Sequence, residues 1–151
     1  MAYSGAKTNL FEDLLLNHLF RGGAAPATGL YIGLVTGDPT LSDAGAETWH
    51  STHEIASPAV GYSRQDLGHG AAANMMMGIA VDGTTSLTGE INFGTSDNSA
   101  GWGDVTGFII STSQVIGAIG TYYYGTFDTA KSVSTGDSVR ITTTNLTIEE
   151  R

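Results

Sequence analysis

Two histidines and two carboxylates lie close together in the stretch ETWHSTHE, and they are the strongest candidates for metal chemistry in the chain. Imidazole and carboxylate groups are common zinc ligands. His50 and His53 lie between Glu47 and Glu54. Their spacing differs from the HExxH helix of metalloproteases, where the two histidines lie one helical turn apart, and no distant third ligand stands out. We therefore interpret the stretch as a solvated or partner-contacting loop, and we predict no metal and no cofactor.

The remaining candidates for catalysis lack partners in the sequence. His18 lies on a helical pattern and His69 lies between glycines, with no orienting acid or nucleophile nearby. Asp97 and Asp104 flank a loop rich in Gly, Ser and Asn, where we interpret them as turn-forming residues and keep a calcium site as the alternative. Phosphate-binding loops and the GxSxG motif are missing. We predict that the protein is not an enzyme and has no catalytic residue.

The composition favours protein partners over nucleic acid or membrane. Fifteen acidic residues against six basic ones give a formal net charge of −9, and the basic residues do not cluster as phosphate binding requires. No apolar run approaches the roughly 20 residues of a membrane span, and the first residues do not resemble a signal peptide, so we expect synthesis in the cytoplasm. There are no cysteines among the 151 residues, so stability must come from packing or association.

One amphipathic helix is predicted near the start, over residues 9–22. Asn9 is the expected N-cap with Glu12 as its reciprocal partner, and Gly22 ends the helix. Apolar residues recur at three- and four-residue spacings, which predicts a broad stripe. The stripe consists of Leu10, Phe11, Leu14, Leu15, Leu16, Leu19 and Phe20. We expect it to pack on the domain's own sheet, with docking onto a neighbouring subunit as the alternative.

Beyond the helix the sequence predicts a mainly β fold: an antiparallel β-sandwich or jelly-roll-like barrel over residues 30–148, within a single domain of residues 1–151. Residues 1–8 are expected to form an N-terminal arm. Strands are predicted over residues 30–35, 62–67, 76–81, 90–93, 105–112, 120–127 and 138–148. Because the apolar positions of the last strand change parity, we expect a bulge or bend within residues 142–145.

Five residues are predicted to contact partners. Tyr3 offers an aromatic anchor on the N-terminal arm. Trp49, His50 and His53 lie in the long loop of residues 40–58, and long loops often make contacts. Tyr123 belongs to a run of three tyrosines, of which Tyr122 and Tyr124 face the opposite side of the strand. Burial of tyrosine in the core is the alternative interpretation.

A succession of short motifs resembles a family of small virion proteins of tailed bacteriophages, known as tail fibre or head decoration proteins. The motifs cover nearly the whole chain in the same order. They are NHLFRG (17–22), LYIGLVTGDP (30–39), Gly45 with Glu47, GYSRQ (61–65), Asn74, INFG (91–94), WGDVTGFII (102–110) and Gly136-Asp137. The stretch between Glu47 and Gly61 is longer than in the family pattern.

The resemblance implies a structural role in the virion of a phage assembled in a bacterial host. We expect capsid decoration, in which homo-oligomers, with a trimer favoured, stabilise the head by bridging copies of the major capsid protein. A tail fibre, tip or connector component is the second hypothesis, although the sequence has no repeats or heptads of a fibre shaft. A more remote alternative is a carbohydrate-binding sandwich that uses Trp49 and Trp102.

Overall fold

The structure, a computed structural model, describes residues 3–25, 29–37, 53–55, 61–68, 76–97, 100–118, 120–143 and 145–149. Nine strands and one helix lie in these residues. They are β1 (Tyr3–Lys7), α1 (Asn9–Arg21), β2 (Tyr31–Thr36), β3 (Gln65–Asp66), β4 (Thr84–Ser86), β5 (Ile91–Thr95), β6 (Gly103–Ser111), β7 (Thr121–Val133), β8 (Ser138–Ile141) and β9 (Thr147–Glu149). The predicted mainly β fold with one N-terminal helix is confirmed.

Every strand pair among the described residues is antiparallel. The largest sheet has five strands in the order β1-β7-β6-β2-β3, and two further ladders pair β4 with β9 and β5 with β8. In the five-stranded sheet the long strand β6 is the middle strand, and the long strand β7 lies next to it. At Gly107 of β6 a Cβ atom would collide with the backbone of Gly125 on β7, so the close approach of these two strands requires glycine.

The core lies between one face of the five-stranded sheet and the two ladders. Alternate residues of β2, Ile32 and Leu34, join a large cluster on this face. Val35 belongs to a smaller cluster with Ile109 and Tyr124. Because both faces of β2 are covered, its four central residues are all buried, which explains why its sequence is continuously apolar and does not alternate.

The structure corrects three sequence predictions about the β elements. Residues Tyr3–Lys7 form strand β1 on β7 and not a free arm. Residues 76–81 contribute only single bridges, at Met77 and Val81, whereas the regular strand of this region is β4. The predicted last strand is two strands, β8 and β9, which belong to different ladders. The parity change in the sequence marks the point where the chain leaves one ladder for the other.

The N-terminal cap of α1 is Thr8 and not Asn9. The Thr8 hydroxyl accepts a hydrogen bond from the Phe11 amide (3.3 Å) and donates one to the Thr121 carbonyl (2.7 Å). The Thr8 amide donates to the Tyr122 carbonyl (2.9 Å). One buried residue therefore ends β1, caps the helix and fixes both to β7. Gly22 ends the helix as predicted, in the left-handed conformation that glycine favours.

No helix in the described residues is long and apolar enough to cross a membrane.

Candidate functional site

A buried polar cluster lies against β2 and is built from Glu54, Tyr62 and Arg64. The guanidinium of Arg64 donates from Nε to Glu54 Oε1 (2.7 Å) and from Nη2 to Glu54 Oε2 (2.8 Å). The Tyr62 hydroxyl donates to Glu54 Oε1 (3.0 Å) and accepts from the Leu34 amide (2.8 Å). All three side chains are buried. We refer to these three residues as the polar core cluster.

The polar core cluster also fixes the loop of residues 113–118, which follows β6. Arg64 Nη1 donates to the Ser111 hydroxyl (3.0 Å) and to the Ser113 carbonyl (2.6 Å). The Gly117 amide donates to Glu54 Oε2 (2.9 Å). Together with the bond to Leu34, the cluster joins four stretches of the chain, at residues 34, 54, 62–64 and 111–117, at the cost of desolvating one ion pair.

The polar core cluster has the geometry of a scaffold. Burial raises the pKa of the Tyr62 phenol well above its ordinary value, and the negative charge of Glu54 raises it further. The phenol therefore stays protonated and donates to the carboxylate, while the carboxylate is neutralised by Arg64. Each group is engaged with protein atoms, so the arrangement holds chain segments together.

Of the four candidate metal ligands, the structure describes His53 and Glu54, and their side chains lie in different surroundings. Glu54 points into the polar core cluster, where its oxygens accept from Arg64. His53 is half-buried, and a Cβ atom at Gly37 would lie 2.8 Å from its Cδ2 atom. Trp49, His50 and Glu47 lie outside the described residues. Within the part of the chain that the structure describes, no three His, Cys, Asp or Glu side chains form a group that could hold a metal ion.

Sequence reasoning missed the roles of Arg64 and Tyr62. The available signal was that GYSRQ places an arginine, one of only six basic residues in the chain, inside an otherwise strand-like segment. A partner carboxylate is expected for such a residue. The sequence offered Glu54 only as a zinc ligand, because its distance from Arg64 along the chain concealed the pairing.

The second notable feature is an exposed apolar surface on α1, made of Leu16, Leu19 and Phe20. These side chains are 56%, 69% and 79% exposed. Phe11 is the only buried residue of the helix and stacks on Tyr122, with ring centroids 4.5 Å apart. The prediction that the whole apolar stripe packs on the domain's own sheet is therefore wrong. The first half of α1 packs on β7, and we refer to Leu16, Leu19 and Phe20 as the α1 patch.

Residues of two of the sequence motifs, Gly33 and Trp102, have packing roles in the core. Gly33, in LYIGLVTGDP, leaves space for the polar core cluster, since a Cβ atom there would lie 2.8 Å from Glu54 Oε1. Trp102, which opens WGDVTGFII, is buried edge-on to Tyr62, with ring centroids 5.7 Å apart. Over residues 6–149 the chain matches the family described as Podophage GP4 fiber I protein gp80.

The chain belongs to this family.

Membership of the podophage fibre family confirms the resemblance to small virion proteins of tailed phages. By the name of the family, the protein is a structural protein of the phage virion and of fibre type. No curated protein sequence matches the chain.

Three further residues for which the sequence predicts a contact with a partner or a sugar in this podophage fibre family member are Tyr123, Tyr3 and Trp102. Tyr123 is half-buried and packs on Phe11, with ring centroids 5.0 Å apart, and on the main core. The backbone of Tyr3 pairs with Phe127. Whether these residues also contact partners stays a prediction. The proposed role of Trp102 in sugar binding is wrong in its premise, because this side chain is buried and not exposed.

Proposed function

We propose that this podophage fibre family member is a non-catalytic subunit attached to the phage tail, and that the α1 patch is the surface that attaches it. The name of the family supports the proposal that the protein is part of a fibre on the tail. The polar core cluster, which links chain segments, supports the proposal that the protein is a rigid structural subunit. The observation that carries the attachment surface is the exposure of Leu16, Leu19 and Phe20 at the end of a helix whose first half is packed.

The spacing of the α1 patch suits a partner that encloses the helix. Leu16, Leu19 and Phe20 are related as i, i+3 and i+4, so they share one helical face. An amphipathic helix that lies in a groove uses anchors at these positions. Large apolar side chains that remain in water are favourable to bury, at about 25 cal/mol per Å² of apolar surface.

We take the occupant to be an apolar groove on another tail protein. A stable flat contact needs about 800 Å² from each partner, and three side chains supply only part of that area. A groove gains the rest by surrounding the helix. The net charge of −9 favours basic residues at the rim of the groove, because charge complementarity raises the rate of association.

The test is incorporation of a patch variant into particles. Phage that encodes Leu19→Glu is expected to yield virions with at least about tenfold less of this protein, because a charge is desolvated in the groove. Ile79→Glu is the matched control, since Ile79 is also an exposed apolar residue (91%) but lies outside α1. Incorporation is measured by immunoblot of purified particles. Normal incorporation of the Leu19→Glu protein would refute the assignment of the α1 patch.

Decoration of the capsid surface, with the major capsid protein as partner, is the second candidate. It is favoured by the lack of repeats or heptads in the sequence from which a fibre shaft is built. Gold-labelled antibody against the recombinant protein distinguishes the two positions on intact particles. Label on the tail supports the proposal, and label spread over the head supports decoration.

A further inference from the structure

Charged side chains lie at both ends of the α1 patch. Glu12 and Asp13 lie near the start of α1, Arg21 is its last residue, and all three are exposed. Leu16, the first residue of the patch, follows Glu12 by four residues and Asp13 by three, so these carboxylates share its helical face. The apolar surface is therefore bounded by negative charge towards the N-terminus of α1 and by positive charge at its C-terminus.

The charges at the ends of α1 take no part in the salt bridges of the described residues, which join other side chains. Arg21 lies roughly 12 Å beyond Asp13 along the helix axis, at a rise of about 1.5 Å per residue. Exposed charges that far apart are largely screened from one another at physiological salt. His18, the other basic residue of the last turn, is engaged with the Gly23 carbonyl (3.0 Å). Arg21 is therefore the residue that offers positive charge to a partner.

The surroundings of α1 show that a partner can reach both the apolar face and the end charges. Acidic residues near the N-terminus of a helix and basic residues near its C-terminus interact favourably with the helix dipole, so the order of the charges also suits an isolated helix. The dipole does not explain why all six residues from Leu16 to Arg21 are exposed. Because no side of this half of α1 is covered by the described chain, one partner can contact the patch and Arg21 together.

We propose that the groove that receives the α1 patch has opposite charges at its two ends. A lysine or arginine of the partner meets Glu12 and Asp13, and an aspartate or glutamate of the partner meets Arg21. This inference rests on the proposed function of the patch and specifies its partner. The basic rim expected from the net charge lies at one end of the groove, and an acidic side chain lies at the other, which makes the two surfaces complementary in charge.

The end charges set the direction in which α1 lies in the groove. Burial of apolar surface is not directional, so three apolar side chains on one face can fill a groove with the helix running either way. With the helix reversed, Arg21 would meet the basic end of the groove and the two carboxylates would meet its acidic end. Like charges brought together at a contact suppress the wrong arrangement. The charges therefore provide specificity, whereas Leu16, Leu19 and Phe20 provide burial.

Mixed assembly tests the acidic end of the groove. Unmodified phage infects cells that also make a tagged copy of this protein, so particles form whichever variant is supplied. We expect tagged Arg21→Glu to enter particles at least about tenfold less than tagged Lys131→Glu, because the partner's carboxylate repels it. Lys131 is the matched control, since it is an exposed basic residue of β7 and is also absent from the salt bridges of the described residues. Immunoblots of purified particles measure entry, relative to the soluble tagged protein in the same cells.

Two further substitutions distinguish a carboxylate from an uncharged contact. Arg21→Lys keeps the positive charge and should retain most of the entry into particles. Arg21→Gln removes the charge without adding repulsion, so its entry should fall between those of Arg21→Lys and Arg21→Glu. Equal entry of Arg21→Gln and Arg21→Glu would overturn the acidic end of the groove, and so would equal entry of Arg21→Glu and Lys131→Glu.

Asp13→Lys tests the basic end of the groove in the same assay. We expect it to enter particles at least about tenfold less than the matched control Asp128→Lys, which changes an exposed carboxylate on β7. Equal entry of these two variants would overturn the basic end. Thermal unfolding followed by circular dichroism should show nearly unchanged melting temperatures, because exposed end charges stabilise a helix only slightly. If Arg21→Glu does not fold, Arg21→Gln and Arg21→Lys decide, and equal entry of those two would overturn the acidic end.

Leu19→Glu in the same assay separates this inference from the proposed function. Exclusion of Leu19→Glu with normal entry of Arg21→Glu and Asp13→Lys would overturn the end charges and leave the α1 patch in place. Normal entry of all three variants would refute the patch and the end charges together. Exclusion of the two charge variants with normal entry of Leu19→Glu would also overturn the inference, because the charges would then act away from the patch.

Discussion

Arg64 and Glu54 meet in the core as a two-point ion pair, with the Arg64 Nε atom 2.7 Å from Glu54 Oε1 and both side chains almost fully buried. Desolvation opposes the attraction between buried charges, so such a pair contributes less stability than its geometry suggests. Breaking the pair is nevertheless costly to stability, because removing one partner leaves the other charge buried without compensation.

We expect Arg64→Met to destabilise the protein by about 3–5 kcal/mol, because Glu54 then remains as an uncompensated buried carboxylate. The loop of residues 113–118 also loses the donor to its Ser113 carbonyl. Urea unfolding gives the free energy, with the fluorescence of Trp102, which lies against Tyr62 in the core, as the signal.

The control is Arg140→Met. Arg140 pairs with Glu90 at 3.3 Å, but the two side chains are 56% and 45% exposed. Exposed pairs contribute about 0–1 kcal/mol, so this variant should remain close to the unmodified protein. Equal destabilisation by Arg64→Met and Arg140→Met would contradict the claim that burial makes the pair of Arg64 and Glu54 costly to break.

Gly33→Ala is expected to lower the free energy of unfolding by about 1–3 kcal/mol through overpacking. The added methyl group would lie 2.8 Å from Glu54 Oε1 and 2.9 Å from the Tyr62 hydroxyl, so the polar core cluster has to move. Gly78→Ala is the matched control, because its methyl group meets its neighbours at ordinary contact distances of 3.4 Å. Chemical unfolding of the two variants should differ clearly, and similar values would show that the cluster adapts freely.

Much of the fold could be predicted from the sequence because local signals and tertiary packing agree there. Gly22 ends α1, and the strands β2, β6 and β7 follow runs of apolar and β-branched residues. Strand β1 escaped prediction because its sequence has little β propensity. It is a strand because β7 supplies its hydrogen-bond partners, which is a tertiary effect.

The polar core cluster and the α1 patch could not be predicted for two further reasons. The pairing of Glu54 with Arg64 depends on bringing two segments together in three dimensions, and no local spacing encodes it. The stripe of α1 is continuous in the sequence, but the sheet beneath it covers only the first half. Periodicity predicts that a face is apolar and does not predict what covers it.

The stability of the protein should depend on pH at the alkaline end through Tyr62. Its pKa in the folded protein is raised by burial and by Glu54, whereas in the unfolded chain the phenol ionises near pH 10. Above about pH 10 the unfolded state therefore holds fewer protons than the folded state, and stability falls by up to about 1.4 kcal/mol per pH unit. Below that pH this group contributes no slope.

Tyr62→Phe should remove this contribution, so that the alkaline slope becomes shallower than in the unmodified protein. At neutral pH the same variant should lose about 1–3 kcal/mol, because the Leu34 amide loses its buried acceptor. Urea midpoints across a series of alkaline pH values measure both effects. Parallel slopes for the two proteins would show that Tyr62 titrates equally in the folded and unfolded states.

Substitutions of the cap residue Thr8 and of its neighbour Asn9 should have different effects on the stability of the protein. Thr8→Ala removes the acceptor for the Phe11 amide and the donor to the Thr121 carbonyl, and we expect a loss of about 1–2 kcal/mol. Thr8→Ser keeps the hydroxyl and should retain most of that stability.

Asn9→Ala should change stability by less than about 0.5 kcal/mol, because Asn9 is an exposed first-turn residue and not the cap. Thermal unfolding followed by circular dichroism compares the three variants. If Asn9→Ala were as harmful as Thr8→Ala, the helix would begin one residue later, as its sequence suggests. The expected order instead follows from β7, since the Thr8 hydroxyl serves the helix and the sheet at once, and a residue that only begins a helix has no such second role.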